Sequence, residues 1–272
     1  MRGEVVPLRP LTLAEILDAA VELLRRNASR LLLVSGILAV VEQVLLYPLR
    51  SVAAVTPPLY LPSADRLGPY WLLLATGFGT EAGILAVLGG LAARAAVSAL
   101  GLRVAPVPRR LGALCALAVI VALTGTLTAA AGFLPWVFWY AFTGLAAPAL
   151  VVERRAPFSA LGRSFLLVGR GGMRPGFIRL LGYLAWWAIR IALAAGGEAA
   201  LELTGQLSSG FALRLAGLIA WTLVNTVAYA VLGCLDAVLH LEDRMRVEGL
   251  DLALGRAARR GSQVDQILAG SR

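Results

Sequence analysis

Long apolar runs alternate with short polar segments along the whole chain. A helix needs about 20 predominantly apolar residues to cross the hydrocarbon core of a bilayer. Six runs reach that length, and the very short gap between the third and the fourth predicts a tight helical hairpin. We therefore predict membrane-spanning helices at about 31–49, 70–93, 111–131, 134–152, 177–195 and 211–239.

The segment before the first span has the periodicity of an amphipathic helix. Thr12 and Glu15 have the spacing of a capping box, in which each side chain accepts a hydrogen bond from the other residue's backbone N–H group. The apolar residues that follow share one helix face: Leu13, Ile16, Leu17, Ala20, Val21 and Leu24. This pattern predicts an amphipathic helix over 11–27, which lies either on the membrane surface or against the protein's own cytoplasmic side.

A second amphipathic helix is predicted over 157–169, between the fourth and fifth spans. Pro157 suits the first turn of a helix, and the glycines that follow the segment end it. Its apolar residues share one face: Phe158, Leu161, Phe165 and Val168. Arg163 lies on another face. We expect this helix to lie along the inner leaflet.

These elements predict an all-α fold, a polytopic transmembrane helical bundle of about six spans with two cytoplasmic-side amphipathic helices. The composition agrees, because 59% of the residues are hydrophobic, 15% are charged and the mean hydropathy is +0.79. Soluble domains contain about 45–50% apolar and about 25% charged residues. We predict a single integral membrane domain over 1–251 and a cytoplasmic tail over 252–272.

The formal net charge is +9, and all 25 basic residues are arginines. The positions of the arginines along the chain therefore indicate how the protein is oriented in the membrane. Basic residues are retained in cytoplasmic loops. If both termini are cytoplasmic, 20 arginines lie in inner segments, three lie in spans, and only Arg50 and Arg66 lie outside. The absence of lysine is typical of a high-GC bacterial genome. We predict a multi-pass protein of the bacterial plasma (inner) membrane with both termini in the cytoplasm.

The residue counts argue against several kinds of site. His240 is the single histidine, and Cys115 and Cys234 are the two cysteines. These are too few for a multi-histidine metal site or a disulfide framework, and His240 has no evident nucleophile partner. A Walker A phosphate loop needs a lysine, which the chain lacks. We predict no catalytic residue, no cofactor and no metal site, so the protein is not expected to be an enzyme. Both cysteines are expected to be buried as small apolar residues.

Ionisable residues inside the spans are the main functional candidates, because each costs about 2.5–3.5 kcal/mol at the centre of a helix on insertion scales. Six such residues occur: Glu42, Glu81, Arg94, Arg190, Arg214 and Asp236. We select a candidate intramembrane polar site of four residues: Glu42, Glu81, Arg190 and Arg214. Either these side chains line a path for an ion, a proton or a polar substrate, or they form structural ion pairs between helices. The ion-pair interpretation is favoured, with Glu81 as the residue that most challenges it.

Arginines between the fourth and fifth spans are a candidate surface for contact with the inner leaflet: Arg154, Arg155, Arg163, Arg170 and Arg174. Membrane lipids, anionic ones above all, are the favoured partner because these side chains lie within reach of the headgroups. Insertion topology already accounts for the arginines, so we predict no nucleic-acid partner. A membrane-protein partner or a homo-oligomer is the further option.

Small and aromatic residues lead to two further predictions. Gly79 and Gly83 form a GxxxG pair, which allows close approach of another helix and is expected to pack within the chain rather than in a dimer. Aromatic residues near the ends of the second and fourth spans are expected to be interfacial anchors: Tyr70, Trp71, Trp136, Trp139 and Tyr140.

Three sequence blocks resemble a family of bacterial, largely actinobacterial, polytopic membrane proteins. The blocks run from Leu8 to Asp18, from Val152 to Phe165 and from Arg244 to Asp251, and they bracket all six predicted spans. The family is that of the membrane domain associated with glycerophosphoryl diester phosphodiesterases. It commonly has Asp-Leu-Arg where this chain has Glu242-Asp243-Arg244. The resemblance implies an α-helical integral membrane protein without a catalytic domain, and it carries over no catalytic residue.

These observations predict a non-enzymatic, multi-pass plasma-membrane protein. The first functional hypothesis is a membrane scaffold or accessory subunit that engages lipids or a partner protein. The alternative is a small transporter or channel in which Glu81 and Glu42 line the route. A continuous hydrated cavity lined by both carboxylates would favour transport, whereas arginine pairing of both in a dry bundle would make transport unlikely.

Overall fold

The structure is a computed structural model that describes residues 9–55, 62–100, 110–204 and 210–260. No strand occurs in these four ranges, which confirms the all-α prediction for them. A short 3-10 helix over Ala64–Arg66 precedes the third α-helix. The α-helices are α1 (Leu13–Arg26), α2 (Ala28–Ala53), α3 (Leu67–Ala99), α4 (Leu111–Ala131), α5 (Phe133–Thr143), α6 (Ala146–Val152), α7 (Pro157–Arg170), α8 (Arg174–Thr204), α9 (Gly210–Glu248) and α10 (Leu250–Arg260).

Six segments of the described chain are long and apolar enough to cross a membrane, and each contains or overlaps a predicted span. The chain is therefore a multi-pass membrane protein. α5 and α6 together make the fourth span. The segments are Ala28–Ala53, Ala64–Ala99, Leu111–Ala131, Phe133–Val152, Arg174–Gly197 and Leu215–Glu248.

Both ends of the described chain lie at the same end of the bundle. Arg174 and Arg246, near the start of α8 and the end of α9, both donate hydrogen bonds to the backbone oxygen of Leu11. We call this the terminal end, which carries α1 and α10. The opposite end, which carries the 3-10 helix over Ala64–Arg66 and the α4–α5 turn, is the distal end.

Helix α3 is central, since it packs against α2, α4, α6 and α9. Its GxxxG pair faces α4. A Cβ atom on Gly83 would lie 2.9 Å from both the backbone oxygen of Ala118 and the Cβ of Ala122, and one on Gly79 would clash with Thr126. Both glycines are thus used for helix packing within the chain, as predicted.

The capping box of α1 forms as predicted, and α1 lies against the protein itself. Thr12 Oγ1 accepts from the Glu15 backbone N–H, and the Glu15 carboxylate accepts from the Thr12 backbone N–H at 2.8 Å. A side-chain hydrogen bond from Arg9, and then the bond from the Thr12 backbone, lowers the pKa of Glu15 to about 2. The buried face consists of Ile16, Ala19, Ala20, Leu23 and Leu24 and packs mainly on α9.

Only half of the apolar face predicted for α1 is covered. Leu13, Leu17 and Val21 are 39%, 40% and 47% exposed, respectively. They follow one another at four-residue spacing, so they form a stripe along the helix. We call these three residues the α1 stripe.

The predicted face of α7 is wrong in detail. Leu161 and Val168 are buried, but Phe158 is 75% exposed and Phe165 is 39% exposed. The buried side packs against α4, α5, α6 and α9. The ring of Phe165 packs against those of Phe142 and Trp139, with centroids 5.1 and 5.8 Å apart, whereas Phe158 is exposed. The prediction of a single amphipathic face did not distinguish the buried residues of α7 from the exposed ones.

The fourth span is interrupted between α5 and α6, and neighbouring helices bind the backbone groups that the break releases. Ser164 of α7 donates to the backbone oxygen of Phe142 at 2.5 Å and accepts from the N–H of Leu145 at 3.1 Å. Arg179 of α8 donates to the backbone oxygen of Tyr140. Irregular backbone at membrane depth is tolerated only where such partners exist.

Two predictions about individual side chains are corrected. Trp136 and Tyr140 are 3% and 0% exposed, so they are core residues and not interfacial anchors. Their rings stack at 5.1 Å between centroids, which places them in the packed interior of the bundle. Cys234 is buried as predicted, but Cys115 is exposed.

Candidate functional site

Three helices bring a buried ion pair together in the distal half of the bundle. Arg190 of α8 donates through Nη2 to Oε1 of Glu81 in α3 at 2.7 Å, and the two residues are 3% and 5% exposed. Tyr183, also on α8, donates its hydroxyl to the other Glu81 oxygen at 2.9 Å. Asn225 of α9 accepts a longer bond of 3.4 Å from Nη1 of Arg190. The charge of Glu81 is therefore matched, and both of its oxygens are engaged.

Glu42 of α2 lies at the same site but has neutral partners. Its Oε2 accepts from the hydroxyl of Tyr229 at 2.7 Å, and its Oε1 accepts from the hydroxyl of Thr80 at 3.2 Å. The residue is 4% exposed and forms no salt bridge within the described part of the chain. A buried carboxylate with hydroxyl partners alone is costly to keep ionised.

Glu42, Glu81 and Arg190 share the wall of one cavity of about 320 Å³. Arg50 and Asn225 also line it, together with aromatic side chains: Tyr70, Phe78, Tyr183, Trp187, Trp221 and Tyr229. Small-molecule sites are typically clefts of about 300–1,000 Å³ that are mostly apolar with a few placed polar groups. The cavity has both properties.

Aromatic rings lie close to the guanidinium group of Arg190. The guanidinium carbon of Arg190 lies 5.6 Å from the ring centroid of Tyr183 and 5.7 Å from that of Tyr229. Contacts within about 6 Å of a ring face attract a cation through the ring quadrupole. The ring contacts and the salt bridge together hold Arg190 at one position in the wall.

Arg50 enters the site although it was expected in an outer loop. It lies in the last turn of α2 and is 7% exposed. Its Nη1 donates to the side-chain oxygen of Gln43 at 2.6 Å. The predicted span ended at about residue 49, near Pro48, but the helix continues through this proline to Ala53.

A second buried ion pair lies between the cavity and the terminal end. Arg179 of α8 donates through Nε and Nη2 to the two carboxylate oxygens of Asp236 in α9, at 2.7 and 3.1 Å. The guanidinium also lies 3.7 Å from the ring centroid of Tyr140. Arg179 was expected in an inner segment; the structure instead places it inside α8. Together with buried Leu85 and Leu88 of α3, this pair lies on the terminal side of the site.

Two polar networks hold the terminal end together. The Glu153 carboxylate is fully buried and pairs with Arg155 and Arg163 at 2.9 Å each and with Arg244 at 3.8 Å. Burial opposes the charged form of Arg163, but its ion pairs with Glu248 and Glu153 outweigh burial and raise the pKa of Arg163.

In the second network, the buried carboxylate of Glu242 pairs with Arg174 and Arg246, each at 2.9 Å. Both arginines also donate to the backbone oxygen of Leu11, so the segment just before α1 is joined to α8 and α9 at a single point.

The candidate residues from the sequence thus have different environments. Glu42, Glu81 and Arg190 meet at the cavity. The side chain of Arg214 lies outside the described residues. Of the arginines proposed for leaflet contact, Arg155, Arg163 and Arg174 are engaged in ion pairs with the protein's own carboxylates. Arg154 and Arg170 are exposed.

The described residues contain no group of three or more His, Cys, Asp or Glu side chains able to hold a metal ion. His240 is fully buried, and its Nε2 lies 3.5 Å from Oε1 of Glu153. Neither ring nitrogen has a hydrogen-bond partner in the ranges that the structure describes, so His240 lies beside the terminal-end network and apart from the cavity.

Tyr183, Tyr229 and Asn225 are site residues that sequence analysis missed. Tyrosine and asparagine within an apolar run have little effect on hydropathy, so no local signal marked them. Only the packing of α8 and α9 against α2 and α3 places them beside the two glutamates.

Comparisons with known proteins found no matching family model, no matching curated protein and no matching solved structure.

Proposed function

We propose that this chain is a non-enzymatic small transporter that takes up its ligand in the distal cavity, with Glu42 and Glu81 in the route. The observation that supports this function is the cavity of about 320 Å³ whose wall contains both carboxylates. Ionisable residues within spans typically mark substrate or ion pathways when they face a cavity.

The pairing of the two carboxylates favours transport over the scaffold hypothesis. A scaffold needs its intramembrane charges only for packing, and both glutamates would then pair with arginines in a dry bundle. Arg190 pairs with Glu81 alone, whereas Glu42 accepts hydrogen bonds from Tyr229 and Thr80. A carboxylate kept at a cavity without a cation partner has a cost that packing does not repay, and ligand binding would account for it.

The proposal includes the location and the orientation. We propose a bacterial plasma membrane with the terminal end in the cytoplasm, so that the cavity lies in the outer half of the bilayer. The arginine distribution supports this orientation, as does the position of both ends of the described chain at the same end of the bundle. Reporter fusions to the C-terminus test it, and an external C-terminus would contradict it. Membership of the glycerophosphoryl diester phosphodiesterase membrane domain family is likewise a proposal.

The scaffold or accessory role remains the second candidate, on the basis of the α1 stripe. Leu13, Leu17 and Val21 leave an apolar row at the terminal end, with Arg25 and Arg26 at the end of the same helix. Such a helix suits contact with anionic lipid headgroups or with another membrane protein. If a variant with all three stripe residues changed to serine loses function while the cavity variants keep it, the scaffold role takes precedence.

Transport requires the cavity to be reached from each side in turn, which thiol labelling measures. A background in which Cys115 and Cys234 are serine is reconstituted in oriented vesicles. Leu74→Cys places a thiol in the cavity wall, and Leu88→Cys places one in a buried position of α3 on the terminal side of Glu81. Leu117→Cys, fully buried in the cluster that packs α4 against α3 and absent from the cavity wall, is the matched control and should stay unmodified from both sides.

We expect a membrane-impermeant thiol reagent to modify Leu74→Cys from the distal side. It should modify Leu88→Cys from the terminal side, more slowly, as the bundle opens to that side. Protection of Leu88→Cys from both sides, with Leu74→Cys reactive, would leave ligand binding but contradict transport. Protection of both positions would contradict the proposed function altogether.

A further inference from the structure

We infer that the ligand of the distal cavity is an amphipathic organic cation whose positive charge lies beside the carboxylate of Glu42. This inference rests on the proposed function, because it names the chemistry of the same cavity. It follows from the charge balance of the wall, from its aromatic lining and from the direction in which its charges are arranged.

Direct pairing within the described ranges leaves one carboxylate of the wall, that of Glu42, without a cation in contact, although Arg50 also lines the cavity. Arg190 matches Glu81 at 2.7 Å, and Tyr183 binds the remaining Glu81 oxygen. Both partners of Glu42 are neutral hydroxyls, from Tyr229 and Thr80. In a low-dielectric site an ionised carboxylate is stable only beside a positive charge. A ligand cation beside Glu42 supplies that charge, whereas an anion at the same position would add a second negative charge.

The aromatic lining suits a cation with an apolar body. Six rings line the cavity, and Tyr229 connects them to the carboxylate through its hydrogen bond to Glu42. Aromatic faces bind organic cations by cation–π attraction, more strongly where water is excluded. Arg190 already uses the rings of Tyr183 and Tyr229 in this way. The rings of Phe78, Trp187 and Trp221 face the same space.

Because of Arg50, the two ends of the cavity differ in charge. It lies eight residues after Glu42 on α2, which is about 12 Å along the helix axis, and it is held by Gln43. A cation is therefore disfavoured at the distal end of the cavity and favoured at Glu42. The ligand should enter with its charge directed inward and its apolar body between the rings.

The rim allows such a ligand to enter. Trp187 and Ile191 line the cavity and are 48% and 41% exposed on the outer surface of α8. In a bilayer this surface faces lipid, where amphipathic cations accumulate. An apolar body can enter the cavity over these side chains.

Two ions of the same shape and opposite charge test the inference. Tetraphenylphosphonium and tetraphenylborate binding to the full chain in detergent is measured by equilibrium dialysis. We expect the cation to bind at least tenfold more tightly than the anion, since one charge contact of this kind is worth about tenfold or more. Glu42→Gln keeps an acceptor for Tyr229 but removes the charge, and should reduce cation affinity at least tenfold.

Two further variants guard against misinterpretation. Glu22→Gln removes an exposed carboxylate of α1 far from the cavity, so it should leave the affinity unchanged. If Glu42→Gln fails to fold, as judged by thermal unfolding, Leu74→Trp fills the cavity without altering Glu42 and should abolish cation binding.

The outcomes separate this inference from the proposed function. Equal or tighter binding of tetraphenylborate, or cation binding unchanged in Glu42→Gln and Leu74→Trp, would overturn the cation inference while a reactive Leu74→Cys preserves the ligand cavity. Binding of neither ion, together with protection of Leu74→Cys, would overturn both.

Discussion

Removal of the positive charge at Arg190 should destabilise the bundle, because Glu81 would then be buried without its cation. The two side chains are 4% and 7% exposed, and their salt bridge is 2.7 Å long. Breaking a buried pair by removing one partner costs about 3–5 kcal/mol. Polar contacts in membranes are worth less than that because the denatured chain also finds partners. We therefore expect Arg190→Met to reduce the free energy of unfolding by about 3 kcal/mol.

A double-mutant cycle isolates the contribution of the pair. Glu81→Gln removes the negative charge and keeps an acceptor for the hydroxyl of Tyr183. The double variant Arg190→Met/Glu81→Gln removes both charges of the pair and leaves neither buried alone, so its loss should be smaller than the sum of the two single losses by about 2 kcal/mol.

The assay is reversible unfolding in mixed micelles of a mild detergent and dodecyl sulfate, followed by tryptophan fluorescence. Losses that add within about 0.5 kcal/mol would refute the reasoning, since they would show no coupling between the charges. A single-variant loss below about 1 kcal/mol would contradict the burial argument, because solvated pairs are worth no more than that.

Three further predictions concern packing and the terminal end. Gly83→Leu should separate α3 from α4 and lower the thermal unfolding midpoint, whereas Gly112→Leu, where a Cβ meets nothing within 4 Å, should not. Because the pKa of Glu15 is lowered, its carboxylate stabilises the folded state above about pH 4.3, and this contribution is lost as the pH falls towards 2. NMR titration of the Glu15 carboxyl carbon measures this pKa, and a midpoint near pH 4 would contradict the prediction. Glu153→Gln should loosen the end of the fourth span, because three arginines lose their shared counter-charge; hydrogen exchange of residues 150–155 should accelerate, and unchanged protection would contradict the network.

The elements that sequence analysis predicted correctly are those with local signals. A run of about 20 apolar residues and a capping box at Thr12 and Glu15 each act within one segment, so span number and the start of α1 could be predicted. The same holds for the end of α7, where Gly172 has a φ of +65° and the helix stops at Arg170.

The site could be predicted only in part, because its geometry depends on contacts between distant segments. The free-energy cost of placing an ionisable residue inside a span identified Glu42, Glu81 and Arg190 as candidates from the sequence alone. It could not show that Arg190 would pair with Glu81, which is 109 residues away along the chain, while Glu42 would have a tyrosine partner.

Arg179 shows why span boundaries limit such predictions. Hydropathy placed Arg179 near the start of the predicted fifth span, among the arginines that were attributed to insertion topology. Its guanidinium instead binds Asp236 and the backbone released by the α5–α6 break. Hydropathy averages over a window, so it cannot distinguish an arginine that leaves the bilayer from one with a partner inside it.

The most direct test of the account is a pair of cryo-electron microscopy maps of the full chain in lipid nanodiscs, with and without tetraphenylphosphonium. Added density is expected in the distal cavity only with the cation, in contact with the Glu42 carboxylate and bounded by the ring of Tyr229. Identical maps in which a lipid acyl chain fills the cavity, or in which the cavity is collapsed, would contradict it.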